Sequence, residues 1–223
     1  MLYPTEGELK QVFETEGAFY ELESGERREI CRRSLIIRRI GTEATRADAL
    51  FVLASPGRCM PIDQAALFTK NPEELANIPH LKANPDNTVY QLMRLMDRMN
   101  WQRLEVINLS DLRAGNFSEL EEKLMFMEQQ EEQYHSIFSP KRTDELNHLL
   151  QSAERIIAGW GTNPVIRQQA TRALGVLASL CTVEGLQHDS PPYYYHPFPR
   201  LHDKCIKWLD DMERHLQGDM EPV

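Results

Sequence analysis

The sequence is poor in the features that would assign it quickly. It holds four cysteines in 223 residues, Cys31, Cys59, Cys181 and Cys205, and no two stand at metal-ligand or redox spacing. Reduced thiols and a cytoplasmic setting are therefore expected. No apolar run is long enough to cross a bilayer. The start shows no charged head followed by an apolar stretch, so no signal peptide is expected. The seven histidines lack the helical pairing with cysteine or carboxylate that builds a zinc site, and neither a metal nor another cofactor is expected. A phosphate loop and a Gly-x-Ser-x-Gly nucleophile elbow are both missing.

What remains is an ordinary globular composition, 41% hydrophobic and 26% charged, which excludes disorder throughout. The length suits one domain over 1–217, with 218–223 expected as a disordered tail. A net charge of -9 argues against strong non-specific binding of nucleic acid, because Lys and Arg neutralising phosphates supply most of that affinity. The charge is uneven. Arg27, Arg28, Arg32, Arg33, Arg38, Arg39 and Arg46 cluster early, and Glu119, Glu121, Glu122, Glu128, Glu131 and Glu132 cluster in the middle. A basic face on an acidic body stays open beside the plainer reading, solvated charge on edge strands and helices.

Periodicity divides the chain into an N-terminal arm and hairpin over 1–48 and a core over 49–217. Phe19 to Leu22, a Ser24-Gly25 turn and the run from Ile30 to Ile40 read as the hairpin. Leu50 to Ala54 is a short continuous apolar run, the signature of a central parallel strand buried on both faces. A long Pro-containing stretch follows, with a short helix expected at Pro72-Glu73-Glu74-Leu75. Asp86 or Asn87 caps a helix carrying Val89, Leu92, Met93, Met96 and Met99 on one face, a stripe better read as core than as a cofactor box. Further strands are expected at Leu104 to Ile107, Arg155 to Ala158 and Leu180 to Val183, each followed by a helix. The alternation predicts a three-layer α/β fold with a central, mainly parallel four-stranded sheet and an N-terminal β-hairpin extension.

In open α/β sheets, ligands bind beyond the carboxyl ends of the strands. Here those ends carry Ser55-Pro56-Gly57, Asn108, Gly159-Trp160-Gly161 and, after a loop, His196-Pro197. Gly57 lets a backbone approach a ligand closely. The Asn108 amide offers an acceptor and two donors, enough to read the edge of a base. The helix start after Gly161 can hold an anion. His196 can stabilise developing negative charge or act as acid or base near neutral pH. Each also has a structural reading as turn, cap or surface group.

At these residues the sequence resembles the bacterial and phage proteins of domain-of-unknown-function family 1643. The resemblance is carried by Phe51-Val52-Leu53-Ala54-Ser55-Pro56, Asp86-Asn87-Thr88, Val106-Ile107-Asn108-Leu109 with Leu112-Arg113-Ala114, Ala158-Gly159-Trp160-Gly161 and His196-Pro197. The family's first motif usually reads Asn-Pro-Ser, and Ser55-Pro56-Gly57 departs from it. More remotely, the ordered set is similar to the uracil-DNA glycosylase superfamily. That similarity implies a parallel sheet, base reading by Asn108, stabilisation of a departing base anion by His196, and a ligand wall of Ser55, Pro56, Gly57, Trp160 and Gly161. It also implies stacking by aromatic groups such as Tyr193, Tyr194 or Phe198. The acid that such enzymes carry in the first loop is missing, and Asp63 is the nearest downstream. The resemblance thus implies a protein that binds a nucleobase, nucleotide or DNA, with at most weak N-glycosidic hydrolase activity. The alternative is a catalytically inactive protein of the same fold that serves as a protein-interaction module. A small-molecule hydrolase or transferase using Ser55 or His196 ranks below both, since no third triad member accompanies them.

Overall fold

The computed structural model describes residues 3–63, 75 and 77–218. One seven-stranded sheet runs through the molecule. Its strands are β1 (Phe13–Ser24), β2 (Arg27–Arg39), β3 (Ala49–Leu53), β4 (His80–Lys82), β5 (Arg103–Asn108), β6 (Ile156–Ala158) and β7 (Val183–Glu184). Their spatial order is β4-β1-β2-β5-β3-β6-β7. β5, β3, β6 and β7 are mutually parallel, while β4, β1 and β2 add on through antiparallel pairings, β2 meeting β5 with Leu35 opposite Val106.

Six α-helices are described: α1 (Glu6–Val12), α2 (Asn87–Met99), α3 (Phe117–Gln129), α4 (Thr143–Gln151), α5 (Arg167–Leu180) and α6 (His202–Gln217). Two cores sandwich the sheet. On one face Phe51, Leu104 and Val106 pack with Leu92, Met93 and Met96 of α2 and with Trp208, Leu209 and Met212 of α6. On the other, Leu50, Val52 and Ile107 pack with Leu120 of α3, Leu146 of α4 and Ala173 of α5. All five residues of β3 are buried, as its apolar run predicts. The methionine stripe of α2 is core.

The sheet corrects the sequence-based expectation of a four-stranded, mainly parallel sheet. It is mixed, and the hairpin is not an appendage: β1 and β2 span 12 and 13 residues and extend the same sheet. The alternation of apolar residues is strong in only part of each strand, which hid their length. β4 has three residues and no apolar run, so nothing marked it. The fourth parallel strand is also shorter and later than expected. α5 continues to Leu180, leaving only Val183–Glu184 to pair with β6. The short helix expected at Pro72 to Leu75 lies outside the described residues apart from Leu75. Gly218 closes α6 in a left-handed conformation, and the rest of the expected tail lies outside the described residues.

Most of the early arginines are accounted for by ion pairs. Arg27 meets Glu122, Arg28 meets Glu21 and Glu23, Arg33 meets Glu145, Arg38 meets Glu16, Arg39 meets Asp97 and Arg46 meets Glu154. Arg32 differs from its neighbours, for a reason set by the strand. Ala18 pairs with Ser34 but Phe19 pairs with Arg32, so Arg33 is an extra residue in β2. Strict alternation would send Arg32 and Leu35 to opposite faces. The bulge re-aims Arg32 onto the face of Leu35 and Phe19.

Candidate functional site

The chain leaves β3 and β6 into loops that close around one cavity of about 660 Å³. That is within the size range of small-molecule sites. The cavity runs over the carboxyl edge of the sheet, reaching the start of α2 on one side and the start of α3 on the other. Ser55, Pro56, Gly57, Trp160, Gly161 and His196, all expected at the site, line it.

The first loop is shaped by Gly57, at φ +63°. A Cβ there would stand 3.1 Å from Oδ2 of Asp86. Asp86 is the N-cap of α2, its Oδ1 accepting from the Val89 N–H at 3.0 Å. The chain after the loop is clamped by Arg113, whose Nε donates to the Cys59 carbonyl (2.6 Å) and Nη2 to the Arg58 carbonyl (3.1 Å). Leu112-Arg113-Ala114 thus fixes the far side of the Ser55 loop.

The Gly159-Trp160-Gly161 end holds the histidine loop. Trp160 is fully buried, donates from Nε1 to the Pro192 carbonyl at 2.9 Å and stands edge-on to Tyr194. Gly161, at φ +90°, donates its N–H to the Tyr194 carbonyl at 2.8 Å and leaves its Cα side open to His196. The indole is therefore an anchor for the loop more than a surface for stacking. Among the expected stacking groups, Phe198 lines the cavity, while Tyr194 packs on Trp160 and Tyr193 on His188.

Nδ1 of His196 accepts from the Phe198 N–H at 3.1 Å, which leaves the ring proton on Nε2. Burial lowers its pKa. The Phe198 carbonyl, 3.3 Å from the same nitrogen, and Asp86 pull upward without offsetting burial, and Arg200 lowers it further. A neutral imidazole with Nε2–H is a hydrogen-bond donor ready for an electron-rich atom.

Asn108 stands at the expected strand end but outside the cavity lining. It is 0% exposed. It ends β5 opposite Leu53 and shares the sheet face of Val106, and both of those residues floor the cavity. Neither its Oδ1 nor its Nδ2 has a hydrogen-bond partner. Two cavity residues escaped the sequence reading of the site. Asp86 reads from sequence as a helix cap within a family motif, with no role at the site. Arg32 reads as one of many charges, yet it is 2% exposed, lines the cavity, and has no partner for Nε or Nη1. Its only sequence signal would be a bulge, and bulges carry no residue pattern in this strand. Among the described residues, no cluster of three His, Cys, Asp or Glu side chains is placed to hold a metal ion.

No curated protein and no solved structure matches this chain. A family model described as "Protein of unknown function (DUF1643)" matches residues 71–198, more than half of the sequence. The match takes in Asp86, Asn108, Arg113, Trp160 and His196, and stops short of the Ser55 loop and Arg32. With that span and those motifs in it, the chain belongs to the DUF1643 family.

Proposed function

We propose that the cavity binds a ligand bearing a nucleobase, and that the protein hydrolyses an N-glycosidic bond weakly. The observation that carries this is the Asn108 amide: buried, unpaired at both polar atoms, and set just beneath the cavity floor. Leaving a buried amide unsatisfied costs about 1–3 kcal/mol. A base edge offering one donor and one acceptor satisfies both atoms. In this reading the residues closing over Asn108 move aside as the ligand enters.

The cavity supplies the remaining parts. Asp86, beside Gly57 at the cavity wall, takes the place of the acid missing from the first loop. Its carboxylate accepts a proton from a water that attacks the sugar anomeric carbon. The C–N bond breaks, and its electron pair leaves with the base. The Nε2–H of His196 stabilises the base anion, which then takes a proton from solvent. The remote similarity to uracil-DNA glycosylases supports these roles for Asn108 and His196. Release of uracil or hypoxanthine from 2′-deoxynucleotides and from labelled oligonucleotides is the test. Release that falls at least tenfold in Asp86→Asn and His196→Ala supports the reading. No release, together with unchanged nucleotide binding in Asn108→Ala and His196→Ala, sinks it.

A second reading keeps the fold and drops the chemistry. It is favoured by the exclusion of Asn108 from the lining and by the acidic outer face of α3, where Glu121, Glu122 and Glu128 are exposed around Met125. Partners that survive the cavity substitutions but not charge reversal on α3 would mark an interaction module.

A further inference from the structure

We propose that Arg32 is the anion receptor of this cavity, and that the ligand is a nucleoside monophosphate held there by its phosphate. The base half of this statement rests on the reading of the cavity given above, and the phosphate half stands on Arg32 itself.

Arg32 contrasts with the residue next to it. Arg33 is about as buried as Arg32, and its guanidinium is locked on Glu145. The bulge that turns Arg33 to Glu145 turns Arg32 the other way, into the cavity, where its Nε and Nη1 meet no acceptor. Among the described residues no carboxylate lies within ion-pair distance of it. Another cation, Arg113, lies close enough to repel it and spends its own donors on the Cys59 and Arg58 carbonyls. A buried guanidinium without a counter-ion is expensive to keep. Its planar fork of donors matches the oxygens of a phosphate, two at a time. The starts of α2 and α3, each 13 residues long, face the same cavity through Thr88 and Asn116, and their dipoles favour the same sign of ligand, against the Asp86 carboxylate that caps α2.

The chemistry favours a mononucleotide over a nucleic-acid strand. Arg32 lies inside the cavity, at 2% exposure, so its phosphate must come inside. A strand would have to carry both of its continuing sugars in and out between the Ser55 and His196 loops. Outside the cavity, the other arginines of β2 are paired with acids, and the chain carries -9 overall, which disfavours a continuing run of phosphates.

Isothermal titration of the full chain with inorganic phosphate, 2′-deoxyuridine, 5′-dUMP and a single-stranded oligonucleotide containing deoxyuridine tests this. We expect 5′-dUMP to bind about 10- to 100-fold more tightly than 2′-deoxyuridine, the range set by one charged hydrogen-bonded contact. Arg32→Gln should abolish that difference and the weak binding of inorganic phosphate while leaving nucleoside affinity unchanged. Arg32→Lys should keep part of it. The melting temperature of Arg32→Gln should not fall, because Nε and Nη1 have no internal partner to lose, so loss of binding would not be loss of fold. Equal affinity for nucleoside and nucleotide, or a difference that survives Arg32→Gln, overturns the proposal, as does the absence of any binding. An oligonucleotide that binds more tightly than 5′-dUMP through Arg32 overturns the choice of a mononucleotide. Failure of the base reading looks different: monophosphates of any base, and ribose 5-phosphate, would bind alike through Arg32, and Asn108→Ala would change nothing.

Discussion

Beneath α4 and above the carboxyl end of β5, the protein buries the same kinds of group in opposite states. On the α4 side, Asp111 is fully buried and accepts from Tyr20 Oη (3.0 Å) and Arg142 Nη1 (2.5 Å). Arg142 also grips both oxygens of Glu145, and Arg33 joins the same carboxylate. Burial alone would lower the Arg142 pKa, but Asp111, Glu145 and Tyr20 hold it well above its ordinary value. Ser110 and His135 extend the network at 3.0 Å. A single oxygen of Asp111 lacks a partner. On the cavity side, Arg32 and Asn108 are as deeply buried and unpaired. Closed networks make a fold specific, whereas open buried groups leave binding energy for a ligand. On the proposed reading, the first region serves the architecture and the second the ligand.

The largest effect should come from opening the closed network. Arg142→Met removes the partner of two buried carboxylates, and breaking such a pair costs about 3–5 kcal/mol. Urea unfolding should show that loss, while Arg32→Met should leave stability unchanged or raise it. Similar losses from the two substitutions would erase the distinction between the regions.

Acid should act on the closed side next. Burial, then Arg142, lowers His135 to about 4 from 6.5. The unfolded chain therefore takes up this proton first as pH falls, so the stability from the neutral ring is whole above pH 6.5 and lost toward pH 4. His80 is also lowered to about 4, by burial and then by Arg33, and adds in the same direction. Asp111 opposes them: burial raises it to about 6 from 3.8 despite Arg142, so between those values acidification favours the fold. The net slope should be a fall in stability from pH 6.5 to 4. His135→Gln should flatten it by about 3 kcal/mol across the window, measured by urea titrations at several pH values. An unchanged slope would mean that His135 is not held neutral by its surroundings.

The loop that walls the cavity gives a smaller change with a different signature. Gly57→Ala puts a side chain at φ +63° and a Cβ against Asp86. A left-handed conformation costs about 1–2 kcal/mol outside glycine. Stability should fall by that amount, and ligand binding should fall further because Asp86 is displaced. Stability loss with intact binding would remove the Ser55 loop from the site.

Much of this layout is readable from residues, and the unreadable part has physical causes. Leu50 to Leu53 announces a buried parallel strand because both of its faces are apolar, and Leu104, Val106 and Ile107 mark a second despite Glu105. Crossover geometry then gathers the strand ends, so Ser55, Gly161 and His196 meet around one space although up to 141 positions separate them. The limits appear where a residue's role depends on a partner strand. Arg32 faces the cavity only because β2 carries a bulge opposite β1. Asp86 serves first as a helix cap, and only the folded loop brings Gly57 against it. Asn108 stands at the expected strand end, but the depth at which it is buried follows from the packing of Leu53 and Val106.

The smallest effect sharpens the contrast within the arginine run itself. Arg27 pairs with Glu122 at 3.1 Å, but both side chains are largely exposed and the guanidinium also lies over the Phe126 ring. Exposed pairs contribute about 0–1 kcal/mol, since water competes for both partners. Arg27→Gln should therefore shift stability by less than about 1 kcal/mol and leave nucleotide affinity untouched. Arg32→Gln, five positions away on the same strand, should leave stability unchanged and remove affinity. If Arg27→Gln weakened nucleotide binding as much as Arg32→Gln, the basic strand would be acting as a diffuse electrostatic face, and the buried guanidinium would lose its special place. If only Arg32 matters, position relative to the bulge, and not charge, decides which arginine of the strand meets the ligand.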